Sequence, residues 1–171
     1  SLVHMYVFMP IPYWLDYYSF AVYFAFRWRD ASSFALLAQD GFGIQRIHQA
    51  GIQTAIITGR TSAIVTHRAK ELKITHLVQG REDKLTALNE LLANIGISLV
   101  ECAYIGDDWP DIKALQSVGF AVAVANANGE VIKRVDMVTT RSGGEGAVRE
   151  LCDLILKATG HYEDILASYV V

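Results

Sequence analysis

Cysteine, proline and charged residues are all scarce in this chain. Only Cys102 and Cys152 occur among 171 residues, far apart and each within an apolar stretch. Two isolated cysteines exclude a disulfide framework and match no zinc-ligand spacing, so we expect buried, reduced thiols in a cytoplasmic protein. Charged residues make up 19% and hydrophobic residues 52%, a balance typical of one folded domain with a sizeable core and not of a disordered chain. The net charge of −3 argues against a nucleic-acid-binding protein.

The first 36 residues lack lysine and contain only two acids, Asp16 and Asp30, but they hold 12 of the 18 aromatic residues. Residues 5–26 are strongly apolar, which raises the possibility of a membrane span. Two prolines and Asp16 interrupt this segment, and its tyrosine density is atypical of a helix in lipid. A basic start and a small-residue cleavage site are missing, so we expect no signal peptide either. Aromatic and β-branched residues instead predict a strand or a β-hairpin over residues 17–26, and the fold class includes an N-terminal β-hairpin.

From about residue 40 onward, helix-like and strand-like segments alternate. The apolar spacing predicts strands over residues 54–57, 76–78, 102–105, 121–125 and 137–139, and helices over residues 44–49, 62–72, 84–95, 110–118, 130–135 and 146–158. Alternation of this kind predicts right-handed βαβ units. The fold class expected for the chain is therefore α/β, a Rossmann-like parallel sheet with helices on both faces, as one domain over residues 1–171.

Three carboxylates follow the apolar run Ala103-Tyr104-Ile105-Gly106 directly. They are Asp107, Asp108 and Asp111, and they are expected where the carboxyl end of a buried strand meets a loop. Open α/β sheets bind their ligands at that edge, and carboxylate oxygens suit Mg²⁺ and hence phosphate chemistry. The alternative is that these acids only form a loop and cap a helix, a position that aspartate favours.

Two further segments fall at predicted strand ends or helix starts. Thr58-Gly59-Arg60 offers a hydroxyl and free amides before a helix, an arrangement that holds phosphate; the alternative is an ordinary capping turn. Lys84 opens a helix and can neutralise a transferring phosphoryl group, or it can simply be solvated. The order of a threonine, a lysine and then Gly-Asp-Asp-x-x-Asp is more specific than any of these features alone. A phosphoacceptor receiver domain uses the same residue types, but its acids precede the threonine and lysine.

That order resembles the haloacid dehalogenase superfamily of phosphatases. The chain is most similar to its 3-deoxy-D-manno-octulosonate 8-phosphate (KDO 8-phosphate) phosphatases, over about residues 39–160; residues 1–39 are atypical of the family. The resemblance rests on the segments Asp40-Gly41-Phe42-Gly43-Ile44, Ile56-Ile57-Thr58-Gly59-Arg60, Gln79-Gly80, Asp83-Lys84-Leu85, Ala103 to Asp108, and Gly143-Gly144-x-Gly146-Ala147-Val148-Arg149-Glu150. It implies a capless, homotetrameric, Mg²⁺-dependent hydrolase of an 8-phosphorylated keto sugar acid in bacterial lipopolysaccharide synthesis.

The resemblance also implies residue roles. Thr58 would hydrogen-bond the phosphate, and Lys84 would stabilise both the phosphate and the nucleophile. Asp107 would coordinate Mg²⁺, with Asp108 beside it and Asp111 as a further ligand or a support. Facing the substrate, in part across a subunit boundary, would be Gly59, Arg60, Gly143, Gly144 and Arg149. The alternatives are a flexible turn for the glycines and, for Arg149 and Glu150, a solvated helix face.

The catalytic motif of the family is missing from the start of the chain. Family members attack phosphorus with the first aspartate of an Asp-x-Asp-Gly motif that ends the first strand, and the second acts as general acid and base. No Asp-x-Asp precedes Asp107 here. The usual spacing from Asp40 places Trp14 at the nucleophile and Asp16 at the general acid.

Three interpretations of this departure remain open. The chain is a family member that has lost the nucleophile and acts as an oligomeric scaffold, or Asp16 is the nucleophile in a shifted register. Alternatively, the first 35 or so residues are not those of the native polypeptide, as after a frameshift or a fusion. The abrupt change in composition near residue 35 favours the third interpretation, because decay of one catalytic aspartate does not rewrite a whole strand.

Overall fold

A six-stranded parallel sheet forms the centre of the protein. The computed structural model describes the main chain of residues 21–25 and the whole of residues 38–170. The strands are β1 (Ala21–Ala25), β2 (Gln53–Thr58), β3 (His76–Gln79), β4 (Cys102–Gly106), β5 (Phe120–Ala123) and β6 (Met137–Val138). Their order in the sheet is β3-β2-β1-β4-β5-β6, and every neighbouring pair is parallel.

In the described part of the chain, seven helices connect and cover these strands. They are α1 (Ala38–Gln49), α2 (Ala63–Glu71), α3 (Lys84–Ile95), α4 (Ile112–Leu115), α5 (Gly129–Ile132), α6 (Ala147–Ala158) and α7 (Tyr162–Ala167). Helices α1, α2 and α6 pack on one face of the sheet, and α3, α4 and α5 pack on the other. The predicted parallel α/β sheet with helices on both faces is therefore confirmed.

Alternation along the strands divides the core into two layers. In β4, Ala103 and Ile105 point toward α1 and α6, whereas Cys102 and Tyr104 point toward α3 and α4. Successive side chains of a strand lie on opposite faces of a sheet, so a strand covered on both faces is apolar throughout. This explains why β4 is an unbroken apolar run before the acids.

Of the strand and the hairpin predicted for residues 17–26, the described residues form a strand, and the N-terminal hairpin is not confirmed. Residues 21–25, which the hairpin was expected to contain, form the central strand β1, parallel to both β2 and β4. The rest of the predicted hairpin lies outside the described residues. Aromatic and β-branched residues favour strands in general, so the composition indicated a strand here without indicating its partners.

Helix α1 begins six residues before the start predicted from the sequence. Gly41 and Gly43 lower helix propensity, and the prediction therefore began the helix at Ile44. Tertiary packing accounts for the difference, because a Cβ atom on Gly43 would lie 3.0 Å from Arg149 Cδ and 3.1 Å from Cys152 Cβ. The two glycines let α1 lie close against its neighbours.

Helices α4 and α5 are shorter than predicted, with four residues each, and α7 was not predicted. A 3-10 turn at Trp109–Asp111 replaces the expected start of α4. Among the residues that the structure describes, none of the helices combines the length and the apolar character needed to cross a membrane.

Candidate active site

The carboxyl ends of β2, β1 and β4 meet at one edge of the sheet. Ala25, the last residue of β1, is paired with Ile57, next to Thr58 at the end of β2. Phe24 is paired with Ile105 of β4, next to Gly106. Strand β2 lies on one side of β1, and β4, which comes later in the chain, lies on the other side. Such a change in the direction of strand order opens a crevice at the strand ends. Thr58 and the acidic segment flank this crevice.

Lys84 and Asp111 form a buried ion pair at this edge. Lys84 is the first residue of α3, directly after the loop that follows β3, and Asp111 ends the 3-10 turn that follows β4. The Lys84 Nζ atom donates to Asp111 Oδ1 at 2.6 Å, with the two side chains 6% and 0% exposed. A charged lysine at a helix start is usually solvated, and its burial here indicates a specific role for the cation.

Four donors surround the Asp111 carboxylate. Oδ1 accepts hydrogen bonds from Lys84 Nζ and, at 3.0 Å, from the Tyr104 hydroxyl. Oδ2 accepts from the backbone N–H groups of Asp107 and Asp108, each at 3.2 Å. Both oxygens are thus fully used within the protein. Of the two roles predicted for Asp111, the geometry favours a support for the acidic segment over a metal ligand.

Asp107 and Asp108 are the half-buried carboxylates that begin this segment. Asp108 accepts a hydrogen bond from the backbone N–H of Trp109 at 2.9 Å and so caps the 3-10 turn, as the capping alternative anticipated. Within the described ranges no three or more His, Cys, Asp or Glu side chains are grouped as a metal site. Mg²⁺ is commonly held by only one or two carboxylates together with water and substrate phosphate, so Asp107 and Asp108 fit that ion without a third acid.

Thr58 lies buried at the end of β2, and two contacts fix the loops around it. Its Oγ1 accepts from the backbone N–H of Arg60 at 3.2 Å, which is the predicted turn. Its carbonyl accepts from the backbone N–H of Arg81 at 3.2 Å, which ties the loop before Lys84 to the end of β2. A Cβ atom on Gly59 would meet the Glu82 carboxylate, which is the end of an exposed side chain and would have to move aside.

The glycine-rich segment before α6 lies beside the acidic segment. The Gly143 backbone N–H donates to Asn126 Oδ1 at 2.9 Å, and the Asn128 backbone N–H donates to the carbonyl of Asp107 at 2.8 Å. Gly144 has a φ of 79°, a left-handed conformation that glycine adopts at little cost. The structure thus brings Gly143 and Gly144 to the same edge as Asp107.

Arg149 does not point to that edge within this chain. Its Nε donates to Asp153 Oδ1 at 2.8 Å, and its guanidinium lies 5.0 Å from the centre of the Phe42 ring, between α1 and α6. Neighbouring Glu150 is not simply solvated, because it accepts from the backbone N–H groups of Thr140 and Arg141. A role for Arg149 toward substrate therefore stays a prediction, and Glu150 is assigned to holding the glycine-rich loop.

Asp16 lies outside the described residues, and the strand assignment does not support its predicted place. Asp16 was aligned with the end of the first strand, but β1 begins five residues after it, at Ala21, and ends at Ala25. The candidate site is at the carboxyl end of β1, where Phe26 follows in sequence. The spacing used to locate Asp16 was taken from the family pattern, which residues 1–37 do not follow.

Two residues at the site were not singled out from the sequence. Tyr104 is fully buried, and burial, together with the charge of Asp111, raises the pKa of Tyr104 well above its usual value of 10.0, so its hydroxyl remains a donor. Asp40, also fully buried, accepts from the backbone N–H of Arg149 at 2.9 Å and so anchors the start of α6; burial raises the pKa of Asp40. The signal available for Asp40 in the sequence was its place directly before Gly41. Tyr104 had no such signal and looked like an ordinary core residue.

Substitution of Gly106 is expected to displace Asp111. A Cβ atom at position 106 would lie 2.8 Å from Asp111 Cβ and 2.9 Å from its Cγ. We expect Gly106→Ala to lower the free energy of unfolding by about 1–3 kcal/mol, as overpacking does, in urea denaturation. Gly129→Ala is the matched control, because its Cβ would meet nothing within 4 Å. Equal stability of the two variants would contradict the close approach at Gly106.

Comparison with known proteins gives consistent matches. The family model of haloacid dehalogenase-like hydrolases matches residues 74–151. The 3-deoxy-D-manno-octulosonate 8-phosphate phosphatase KdsC of Escherichia coli K12 is 45% identical over 130 residues, which are 76% of this chain and 69% of that protein. The Yersinia pestis protein of the same name is 46% identical over 129 residues, 75% of this chain and 69% of the relative. These matches have about the length of the chain from residue 39 onward.

Solved structures of similar proteins point to the same family. The 3-deoxy-D-manno-octulosonate 8-phosphate phosphatase of Moraxella catarrhalis, in complex with magnesium, phosphate and KDO, superposes with a TM-score of 0.83 at 42% identity. The match covers 89% of this chain and 94% of that one. A cobalt-bound phosphatase of the same name from Haemophilus influenzae has a TM-score of 0.77 at 34% identity, covering 84% of this chain and 91% of that one.

Proposed function

Because the chain belongs to the 3-deoxy-D-manno-octulosonate 8-phosphate phosphatase family of haloacid dehalogenase-like hydrolases, we propose that it hydrolyses this phosphate monoester. The products are the free keto sugar acid and inorganic phosphate, and the cofactor is Mg²⁺. The observation that carries the proposal is the buried pair of Lys84 and Asp111, at the edge where Asp107 and Thr58 also lie. A cation, a hydroxyl and two carboxylates at the ends of parallel strands form a site for a phosphoryl group.

The described residues have separable tasks in this reaction. Lys84 offers a fixed positive charge to the phosphoryl oxygens, and Asp111 fixes the position of that charge. The Thr58 hydroxyl is placed to hydrogen-bond a phosphate oxygen. Asp107 and Asp108 would hold the Mg²⁺ ion, which neutralises phosphate charge when bound. Gly59, Arg60, Gly143 and Gly144 present backbone and side-chain donors to the rest of the substrate, and Arg149 joins them only if its pair with Asp153 opens.

The attacking carboxylate is the part of the reaction that the described residues do not provide. In the family it is an aspartate at the end of the first strand, but no Asp or Glu occurs between residues 17 and 29. That observation is the reason to keep a second candidate function for the chain as printed, a catalytically inactive oligomeric scaffold with weak or no Mg²⁺ binding. Asp16, which the family spacing aligns with the general acid, and Asp30 are the only acids before Asp40.

Turnover and peptide sequencing together test these two candidates. We expect Mg²⁺-dependent phosphate release from KDO 8-phosphate, with a much lower kcat/KM for p-nitrophenyl phosphate, and no release in excess EDTA. A folded oligomer that releases no phosphate and binds Mg²⁺ weakly or not at all would instead support the scaffold. Peptide sequencing of residues 1–40 then decides whether an Asp-x-Asp-Gly segment replaces the printed one. Absence of both binding and release would contradict the assignment of the site.

We also propose that the protein is a cytoplasmic homotetramer, built from one domain per chain, that acts in lipopolysaccharide synthesis. The family resemblance supports the tetramer, and the low cysteine count is compatible with the cytoplasm. Light scattering coupled to size-exclusion chromatography is expected to give a mass of about four times the 18.9 kDa of one chain. A monomer mass would contradict the tetramer and remove any route by which Arg149 reaches a neighbouring site.

Loss of the Thr58 hydroxyl is expected to weaken substrate binding. Thr58→Val keeps the shape of the side chain but removes a hydrogen bond to a charged phosphate, so we expect kcat/KM to fall by roughly ten- to a hundredfold. Thr54→Val is the control, because Thr54 is a buried threonine of the same strand whose hydroxyl bonds His48, away from the carboxyl edge. Equal effects of the two substitutions on kcat/KM would contradict phosphate contact by Thr58.

A further inference from the structure

Tyr104 carries a hydroxyl into an otherwise apolar layer of the core. Its neighbours there include Ile57, Leu88 and Leu115, and its side chain is fully buried. Phenylalanine would fill this space without any polar group to satisfy. The hydroxyl reaches one partner only among the described residues, Asp111 Oδ1, at 3.0 Å. That oxygen is the same atom that accepts from Lys84.

The position of the Asp111 carboxylate determines two parts of the site at once. Through Oδ1 it fixes Lys84 Nζ, and through Oδ2 it fixes the backbone of Asp107 and Asp108. Rotation about the Asp111 side chain would therefore move the cation and the acidic segment together. The two backbone donors lie on one side of the carboxylate, and a strong single donor, Lys84, lies on the other. Tyr104 is the second donor to Oδ1, and it is carried by the buried strand β4.

We propose that Tyr104 is a positioning residue, whose hydroxyl holds Asp111 so that Lys84 and the Asp107–Asp108 segment keep their places in the site. The effect on catalysis rests on the proposed function, but the effect on the geometry does not. Tyr104 touches neither substrate nor phosphate in this role. Its removal takes away the donor from β4 to Oδ1, so the Asp111 carboxylate can rotate, which moves the lysine relative to a phosphoryl group and shifts the backbone that presents Asp107.

Tyr104→Phe tests this assignment, because it keeps the ring and removes only the hydroxyl. We expect kcat to fall by about tenfold or more, since misplacement of a catalytic charge by a fraction of an ångström is costly, with KM changed much less. We also expect the dissociation constant for Mg²⁺, measured by calorimetry without substrate, to rise by about ten- to a hundredfold, the range seen for supports of metal ligands. Thr54→Val is the control for loss of a buried hydroxyl remote from the site.

A double-mutant cycle with Lys84→Met gives a readout that needs no turnover. If both donors act through the same oxygen, their effects on the urea midpoint are expected to be non-additive. A Tyr104→Phe protein that loses stability but keeps wild-type kcat, wild-type Mg²⁺ affinity and additive effects would overturn the proposal. If the wild-type protein releases no phosphate, the proposed function fails by itself, and Mg²⁺ affinity and the cycle still decide the role of Tyr104.

Discussion

Replacement of Lys84 by methionine is expected to lower kcat by about a hundredfold to a thousandfold, as for removal of one preorganised transition-state stabiliser. The same change is expected to lower the free energy of unfolding by about 3–5 kcal/mol, because it leaves the carboxylate of Asp111 buried without its cation. A solvated lysine, the alternative that the sequence left open, would cost little stability when replaced. The 6% exposure of Lys84 argues against that alternative. The kcat of the variant must therefore be measured under conditions in which the variant is shown to be folded.

Lys113→Met provides the matched control for Lys84→Met. Lys113 is an exposed lysine of α4, and its replacement is expected to change both kcat and the urea midpoint very little. Steady-state phosphate release and urea denaturation on the two variants give the comparison. A Lys84→Met protein with near-normal kcat would show that the lysine is only structural, and one with normal stability would contradict the buried pair.

Replacement of Asp107 by asparagine is expected to abolish Mg²⁺ activation. The change preserves shape but removes the negative charge that a hard cation requires, so Mg²⁺ affinity is expected to fall by about a hundredfold or more. Hydrolysis is expected to fall in parallel at fixed Mg²⁺. Calorimetric titration with Mg²⁺, without substrate, measures the first effect separately from the second.

Asp164→Asn is the control for loss of one carboxylate, since Asp164 is exposed on α7. It is expected to bind Mg²⁺ as the wild-type protein does. Retained Mg²⁺ affinity in the Asp107 variant, equal to that of the control, would remove Asp107 from the metal site. An Asp111→Asn variant, measured in the same way, is expected to lose stability more than Mg²⁺ affinity, because four donors converge on that carboxylate.

The parallel sheet was predictable because the two signals that specify it are local. Apolar runs of four to six residues, such as the strand before Gly106, alternate with helical spacing, and the order of elements then fixes the class of sheet. The acidic segment, Thr58 and Lys84 were predictable as members of one edge, because the carboxyl ends of parallel strands coincide. The sequence pattern therefore located the site before any contact was known.

The partners of those residues were not predictable, because they depend on distances between elements remote in sequence. The 2.6 Å contact of Lys84 with Asp111 favours a support over a ligand for Asp111, where the pattern left both open. Arg149, predicted to face the substrate, pairs with Asp153 of its own helix and lies over Phe42 of α1. Strand β1 was harder to predict, because residues 1–39 are atypical of the family. Their composition left both a strand and a hairpin open for residues 17–26.

The most direct test of the account is phosphate release from KDO 8-phosphate during a Mg²⁺ titration, by the wild-type protein and by Asp107→Asn. The account predicts saturable, Mg²⁺-dependent release by the wild-type protein and no activation of the variant. No release by wild-type protein at any Mg²⁺ concentration would contradict hydrolysis by this chain, and release by the variant equal to that of wild type would contradict the site.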